Sequence, residues 1–408
     1  MTPLPTIAEA RARPEPELLT LLENADIFAP EPLGTGYLLV GGGRVLYVGK
    51  ERPDVGSRLL ADCVDLGGLP VVPGLIDSHV HVTGGGGEDG FSTQAPPVPL
   101  TRFTLNGVTS VVGLLGTDDE TRSTASLLAR TRALREEGLS AWCWTGGYHL
   151  PPTTLTGSVR GDIVNIDCVI GVGEVAISDH RSSQPTLDEL ARLASEAHVA
   201  GLLTRKAGIV HLHLGDGERG LSPVRRLLRD TELPPRVFHP THVNRRRELF
   251  EEACQASREG VTVDVTAFAV EEGEDAWSAA DAWERFHDRG CPAARLTISS
   301  DGGGCLPHFD RNGELLRMDF ATPAGLPETL RELCRRGHRL ENVLPAMTRN
   351  VAGLLRLPGK GRIGAGADAD LLCLDERRQV RHVMAGGRWM VQDGSPVRTG
   401  TFEPSPTS

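Results

Sequence analysis

VVPGLIDSHVHVTGGGGE, Val71 to Glu88, is the stretch whose reading decides the fold. A β-branched, apolar run ends in His79-Val80-His81, and four glycines, Gly84 to Gly87, then lead to Glu88. Side chains alternate faces along a strand, so residues i and i+2 point the same way. His79 and His81 therefore form two imidazole prongs at the end of a buried strand, a chelate suited to a borderline-soft divalent cation such as zinc. An HxH pair alone fits a bland strand surface equally well, so the rest of the chain has to decide.

Outward from this stretch, short apolar runs alternate with amphipathic helical patterns. Eight strand-like runs follow in order: VVPGLIDSHVHV, VTSVVGLLG, SAWCWTGG, CVIGVGEVAIS, GIVHLHLG, RVFHPTHV, VTVDVTAF and RLTISSDG. TLDELARLASEAHVAG and RRRELFEEACQASREG are among the helical patterns between them. Alternating β and α units of this number predict an α/β fold, a TIM (β/α)8 barrel with its site at the C-terminal ends of the strands. A doubly wound open sheet is the runner-up, but no GxGxxG opens a helix. Short strands separated by glycine turns lie at both ends of the chain and predict one small β-sandwich built from the two termini. The expected division is a flexible extension at 1–17, sandwich at 18–69, barrel at 70–358, sandwich again at 359–402, and a tail at 403–408.

With 408 residues, 39% of them hydrophobic, the chain can bury a large core. Its net charge of −11 argues against a nucleic-acid partner, which needs a basic surface. No run resembles a signal peptide or reaches the length of a membrane helix. The eight cysteines include no CxxC pair and read as reduced thiols, which points to the cytoplasm.

Metal-competent residues fall at corresponding places in these runs. Strand 1 of the barrel ends in His79 and His81, strand 4 carries Glu174, strand 5 His213, strand 6 His242 and strand 8 Asp301. Each alone has a bland reading; Asp301 before three glycines, for example, suits a turn. Five strands equipped in this way at one barrel mouth predict a metal site.

This arrangement resembles the amidohydrolase superfamily, and within it the isoaspartyl (β-aspartyl) dipeptidases. The likeness rests on DSHVHVTGGGGE, GVTSVVGLLGTD, TGGYH, TGSV, AISDHRS, HLGD, PTHVNR and SSDG, and on the closing GKGRIGAGADADLLCLD. The resemblance implies that His79 and His81 hold a buried metal and His213 and His242 an outer one. It implies also that Asp301 contacts the buried metal and takes a proton from a bridging water. One departure stands out. The family pattern usually places a carbamylated lysine at the end of strand 4, yet the only lysines are Lys50, Lys206 and Lys360, none of which lies there. VIGVGEVAIS instead puts Glu174 at that site, with one residue apparently inserted beside Gly173 as a bulge. The expectation is two zinc ions bridged by Glu174 and a hydroxide, with no carbamylated lysine.

For substrate, Glu88 is expected to hold an ammonium, Arg181 and Arg245 to fork onto carboxylates, and Tyr148 to donate its phenol to the carbonyl oxygen. Thr117 and the amide of Gly86 add hydrogen bonds. Cys305 stands where the family pattern has a serine that contacts substrate, and sulfur is the weaker partner. These charges suit a dipeptide with two carboxylates, so the expected activity is hydrolysis of the isopeptide bond of β-aspartyl dipeptides. Alternatives are another amidohydrolase acting on N-acyl amino acids or cyclic amides, or a non-catalytic scaffold relative. The resemblance also implies a homo-oligomer, an octamer in particular.

Overall fold

The computed structural model describes residues 19–56, 59–309 and 315–404. The expected extension at 1–17 and most of the expected tail lie outside the described residues. Glu403, the first residue of that tail, is tied down: its carboxylate accepts the backbone N–H groups of Thr101 and Gly400.

The chain opens with β1 (Leu19–Phe28), β2 (Pro32–Gly41), β3 (Arg44–Gly49), β4 (Leu60–Asp65) and β5 (Pro70–Pro73). It ends with β16 (Leu371–Leu374), β17 (Val380–Ala385), β18 (Arg388–Gln392) and β19 (Ser395–Pro396). These nine strands form one sheet in the order β19-β18-β17-β16-β5-β1-β2-β3, with β4 paired to β1. Apolar side chains from both ends of the chain share its core, among them Leu22, Ile27, Leu38 and Val71 with Leu371, Cys373 and Met384.

Eight barrel strands lie between: β6 (Leu75–Val80), β7 (Val108–Gly113), β8 (Ser140–Thr145), β9 (Val169–Ile177), β10 (Val210–Leu214), β11 (Phe238–Thr241), β12 (Val263–Thr266) and β13 (Leu296–Ser299). Each is followed by a helix: α1 (Leu100–Thr104), α2 (Thr124–Glu136), α3 (Val159–Asn165), α4 (Leu187–Thr204), α5 (Ser222–Asp230), α6 (Arg247–Arg258), α7 (Ala279–Asp288) and α8 (Gly325–Arg335). Local signals explain several starts. The TLDE of α4 makes a capping box in which Thr186 and Glu189 satisfy each other's backbone N–H groups. Strands β6 to β11 pair in parallel, as do β12 and β13. The ring closes where Val80 bridges Gly302, and at the other seam where the Val243 N–H donates to the Asp264 carbonyl at 3.3 Å.

Two features depart from the sequence reading. Val71 to Val82 was expected to be one strand, with the barrel beginning at 70. The chain breaks instead at Pro73-Gly74, and β5 pairs with β1 and β16, so the terminal sheet reaches Pro73. Proline cannot donate into a continuing ladder, and a Cβ at position 74 would lie 2.3 Å from Thr109 Oγ1. The second feature is a hairpin, β14 (Cys305–Phe309) and β15 (Leu315–Phe320), inserted after the last barrel strand beside the mouth.

Candidate active site

Strand β9 carries the element that makes the site unusual. Val210 of β10 pairs with Val172, but Leu212 pairs with Val175, so Gly173 and Glu174 together oppose His211 alone. This is a bulge at the position where the sequence has its extra residue, and it turns Glu174 inward. Gly173 has φ 151°, and a Cβ there would sit 2.6 Å from the His211 carbonyl oxygen. Gly173→Ala is therefore expected to destabilise the fold by about 2–4 kcal/mol through overpacking and backbone strain. A thermal unfolding scan checks it.

The two oxygens of Glu174 face different histidines. Oε1 lies 3.6 Å from Nε2 of His79 and 3.5 Å from Nε2 of His81. Oε2 lies 3.0 Å from Nδ1 of His213 and 3.5 Å from Nε2 of His242. Asp301 completes the first pair, its Oδ1 being 3.2 Å from His79 and 3.1 Å from His81. All six residues are buried. His242 and Asp301 both have positive φ, 59° and 57°, at the ends of their strands. Backbone held in that region by non-glycine residues is found where a site requires it.

Hydrogen-bond accounting tests whether a cation fits here. Nε2 of His213 faces Oδ2 of Asp179 at 2.9 Å, and a carboxylate only accepts, so the ring proton sits on Nε2 and Nδ1 presents a lone pair. Nδ1 of His242 meets Thr266 Oγ1 at 2.7 Å, which leaves its Nε2 for the centre. Nε2 of His79 and Oδ1 of Asp301 are buried without any hydrogen-bond partner. Lone pairs thus converge without protons between them, an arrangement that costs free energy unless a cation occupies it. His79, Glu174 and His242, and again His79, His81 and Asp301, each place ligand atoms within 4.8 Å of one another. The set fits a metal. Burial holds His213 and His242 neutral, with His213 lowered to about 3, so both remain available as ligands through the physiological range.

The lysines take no part. Lys206 donates to the carbonyls of Ile163 and Ile166, Lys360 binds Asp368 and Asp370, and Lys50 is exposed.

Above the centre, Tyr148 is buried and its hydroxyl reaches Nδ1 of His213 at 2.8 Å. Burial first, and then the charge of Glu174, push its pKa well above the ordinary value, so the phenol keeps its proton. Arg181 sits over the Tyr148 ring at 5.6 Å and is already engaged. Its Nε and Nη2 fork onto Asp179 at 3.0 and 2.7 Å, and its Nη1 reaches Glu88 at 2.6 Å. The expected carboxylate fork is thus occupied by Asp179, and only the Nη1 edge faces the mouth. Thr117 also donates to Glu88, at 2.6 Å. Arg245 is half-buried, and its guanidinium has no side-chain partner among the described residues.

Gly86 and Cys305 meet at the lip. Gly86 has φ 81°, and a Cβ on it would lie 2.1 Å from Cys305 Sγ, which also contacts the Thr93 carbonyl at 3.6 Å. Burial, reinforced by Glu88 and Asp301, pushes the thiol up to about 11, so it is protonated and a poor nucleophile. The glycine run is pinned: Gly85 donates to the Gly303 carbonyl at 2.8 Å, and Gly86 bridges Gln94.

Sequence reasoning missed Asp179 and Asp119. The first fixes both His213 and Arg181; the second accepts from Nδ1 and the backbone N–H of His149 and so holds the Tyr148 loop. A carboxylate two residues before Arg181 in SDHRS was the available signal for Asp179. His180, in the same SDHRS stretch, is exposed and paired with Asp216 at 2.9 Å.

Comparison with known proteins agrees with this geometry. The Amidohydrolase family model matches residues 71–390. A crystal structure of β-aspartyl dipeptidase from Fervidobacterium islandicum AW-1, in complex with β-Asp-Leu dipeptide, is 40% identical. The match covers 92% of this chain and 98% of that one, with a TM-score of 0.85. A second structure of the enzyme from that organism is 38% identical over 95% of this chain and all of its own, also at 0.85. An allantoinase of Streptomyces avermitilis is 25% identical over 87% of this chain and 85% of its own. A family model spanning most of the chain, and relatives near 40% identity over most of its length, leave one assignment: the chain belongs to the amidohydrolase family, whose members are metal-dependent hydrolases, and within it is similar to β-aspartyl dipeptidases.

Proposed function

We propose that this chain is a zinc-dependent β-aspartyl dipeptidase that hydrolyses the isopeptide bond of β-aspartyl dipeptides. The observation that carries the reading is Glu174, whose oxygens divide between the His79/His81 pair and the His213/His242 pair. His79, His81 and Asp301 would hold one ion and His213 and His242 the other, with Glu174 between them. When bound, two such ions acidify water and polarise a carbonyl. Asp301 Oδ accepts the proton of the attacking water and returns it to the leaving amine. Tyr148 donates its O–H to the carbonyl oxygen as negative charge develops there.

Charge matching supports a dipeptide with two carboxylates. Arg245, whose guanidinium has no side-chain partner among the described residues, is free to take one of them. The second exchanges with Glu88 on Nη1 of Arg181, while the substrate ammonium takes Glu88, so one internal ion pair becomes two with the substrate. Arg245→Ala is expected to raise KM for β-Asp-Leu by about 10²-fold, the scale of a lost charge-assisted contact, with Arg245→Lys in between. Steady-state kinetics check it. Zinc-loaded protein assayed on β-Asp-Leu, α-Asp-Leu, an N-acetyl amino acid and hydantoin tests the substrate class. Cleavage confined to β-Asp-Leu supports it, and cleavage of the cyclic or acyl amide alone refutes it.

No helix among the described residues is long and apolar enough to cross a membrane, and all eight cysteines are free. A cytoplasmic location and assembly into a homo-oligomer, an octamer by family likeness, complete the proposal. Sedimentation velocity tests the assembly.

A further inference from the structure

Beneath the site, where barrels of this kind are usually filled with branched apolar side chains, a polar chain crosses the interior. Its members are His79 on β6, His211 on β10, His239 on β11, Thr297 on β13 and Asp264 on β12, all fully buried. Nδ1 of His79 meets Nε2 of His211 at 2.8 Å, and Nδ1 of His211 meets Nδ1 of His239 at 2.9 Å. Nε2 of His239 meets Thr297 Oγ1 at 3.0 Å, and Thr297 Oγ1 meets Oδ1 of Asp264 at 2.6 Å. Strand register builds it: His211 pairs with His239, and Asp264 with Thr297.

Only one end of this chain has a fixed direction. Asp264 is an acceptor, taking the hydroxyls of Thr241 at 2.8 Å and Ser299 at 2.5 Å on its other oxygen. Thr297 therefore spends its single proton on Asp264, its alternative acceptor, the Val263 carbonyl, being 3.4 Å away. Thr297 must then accept from Nε2 of His239. Nδ1 of His239 in turn accepts from His211, and Nε2 of His211 accepts from Nδ1 of His79. Every link has one allowed direction, and the last leaves Nε2 of His79 bare, facing Asp301 and Glu174.

We propose that Asp264 is a positioning residue for the metal centre, fixing the tautomer and orientation of His79 through His211, His239 and Thr297. This rests on the reading of His79 as a ligand and extends the usual partner of such a histidine from one hydrogen bond to four. Reversing or cutting the chain allows the proton to move to Nε2, where it opposes a cation.

The test is zinc affinity of the full-length protein, stripped of metal and titrated with zinc against a competing chelator. Thr297→Val, which keeps the shape and removes the hydroxyl, is expected to weaken zinc binding about 10- to 100-fold. Thr297→Ser restores it. Ser299→Ala removes a different hydrogen bond from the same carboxylate without cutting the chain, and is expected to lower thermal stability while leaving affinity within about twofold. Asp264→Asn, whose amide can donate to Thr297 and reverse the chain, is the second variant and weakens binding likewise, so the decision survives if Thr297→Val fails to fold. Wild-type affinity in Thr297→Val, or an equal loss in Ser299→Ala, overturns the proposal while the metal site stands. A wild-type chain that binds no zinc overturns the metal reading as well.

Discussion

Glu174→Ala is expected to reduce kcat/KM for β-Asp-Leu on the order of 10³-fold and to lower bound zinc from two ions per chain to one or fewer. Among the described residues, Glu174 is the one side chain with an oxygen on each histidine pair, at 3.5–3.6 Å on one side and 3.0–3.5 Å on the other. Removing it leaves four imidazoles and Asp301 with too little negative charge to offset two divalent cations in a dry site. Loss of several kcal/mol of charge stabilisation at the reacting carbonyl corresponds to three or more powers of ten in rate. Glu174→Gln keeps the volume but not the charge and is expected to behave like the alanine variant. Metal analysis of the purified protein, beside steady-state kinetics, checks both. A mononuclear site supported by the other ligands would instead leave zinc content and rate nearly unchanged.

Tyr148→Phe is expected to lower kcat by about 10²–10³-fold with KM changed by less than about threefold, as for a donor aimed at developing negative charge. Two features of the site lead to this. Burial and the neighbouring Glu174 charge keep the phenol protonated, so it donates over the whole working pH range. In the structure its hydroxyl contacts Nδ1 of His213, the atom that faces Glu174. A cation held by His213 would compete for that lone pair, and the phenol O–H would then be free to donate to the substrate oxygen. The variant removes the hydroxyl and keeps the ring packed against His213, tilted by 42° with centroids 4.5 Å apart. Its folding is therefore expected to be unaffected, and a matching melting temperature would separate a chemical role from a structural one.

The sequence is legible where chemistry repeats at a regular period. Eight apolar runs and the helices between them announce the barrel, and His79, His81, Glu174, His213, His242 and Asp301 are picked out because they lie in the C-terminal halves of five of those runs. The inserted residue beside Gly173 is likewise visible, and the register between β9 and β10 gives it a physical form. What local pattern does not carry is pairing between residues far apart in the chain. β5 belongs to the terminal sheet because β1 and β16 are its neighbours, a fact about residues 26–27 and 371–373 rather than about VVPG itself. Arg181 looks like a free fork in SDHRS, yet its fork closes on Asp179 two residues earlier and its remaining edge on Glu88. Asp264 and Thr297 read as ordinary strand residues until β12 and β13 set them side by side beneath the site.

Glu174 stands where the family pattern places a carbamylated lysine, and its own carboxylate is proposed to serve in that place. The most direct test starts from metal-free wild type in buffer purged of carbon dioxide, adds zinc stepwise, and follows β-Asp-Leu hydrolysis with and without bicarbonate. A carboxylate supplied by the side chain itself needs no carbon dioxide, so activity is expected to saturate at two zinc ions per chain with the same rate in both series. Activity that appears only with bicarbonate, or that is complete at one zinc, would contradict it.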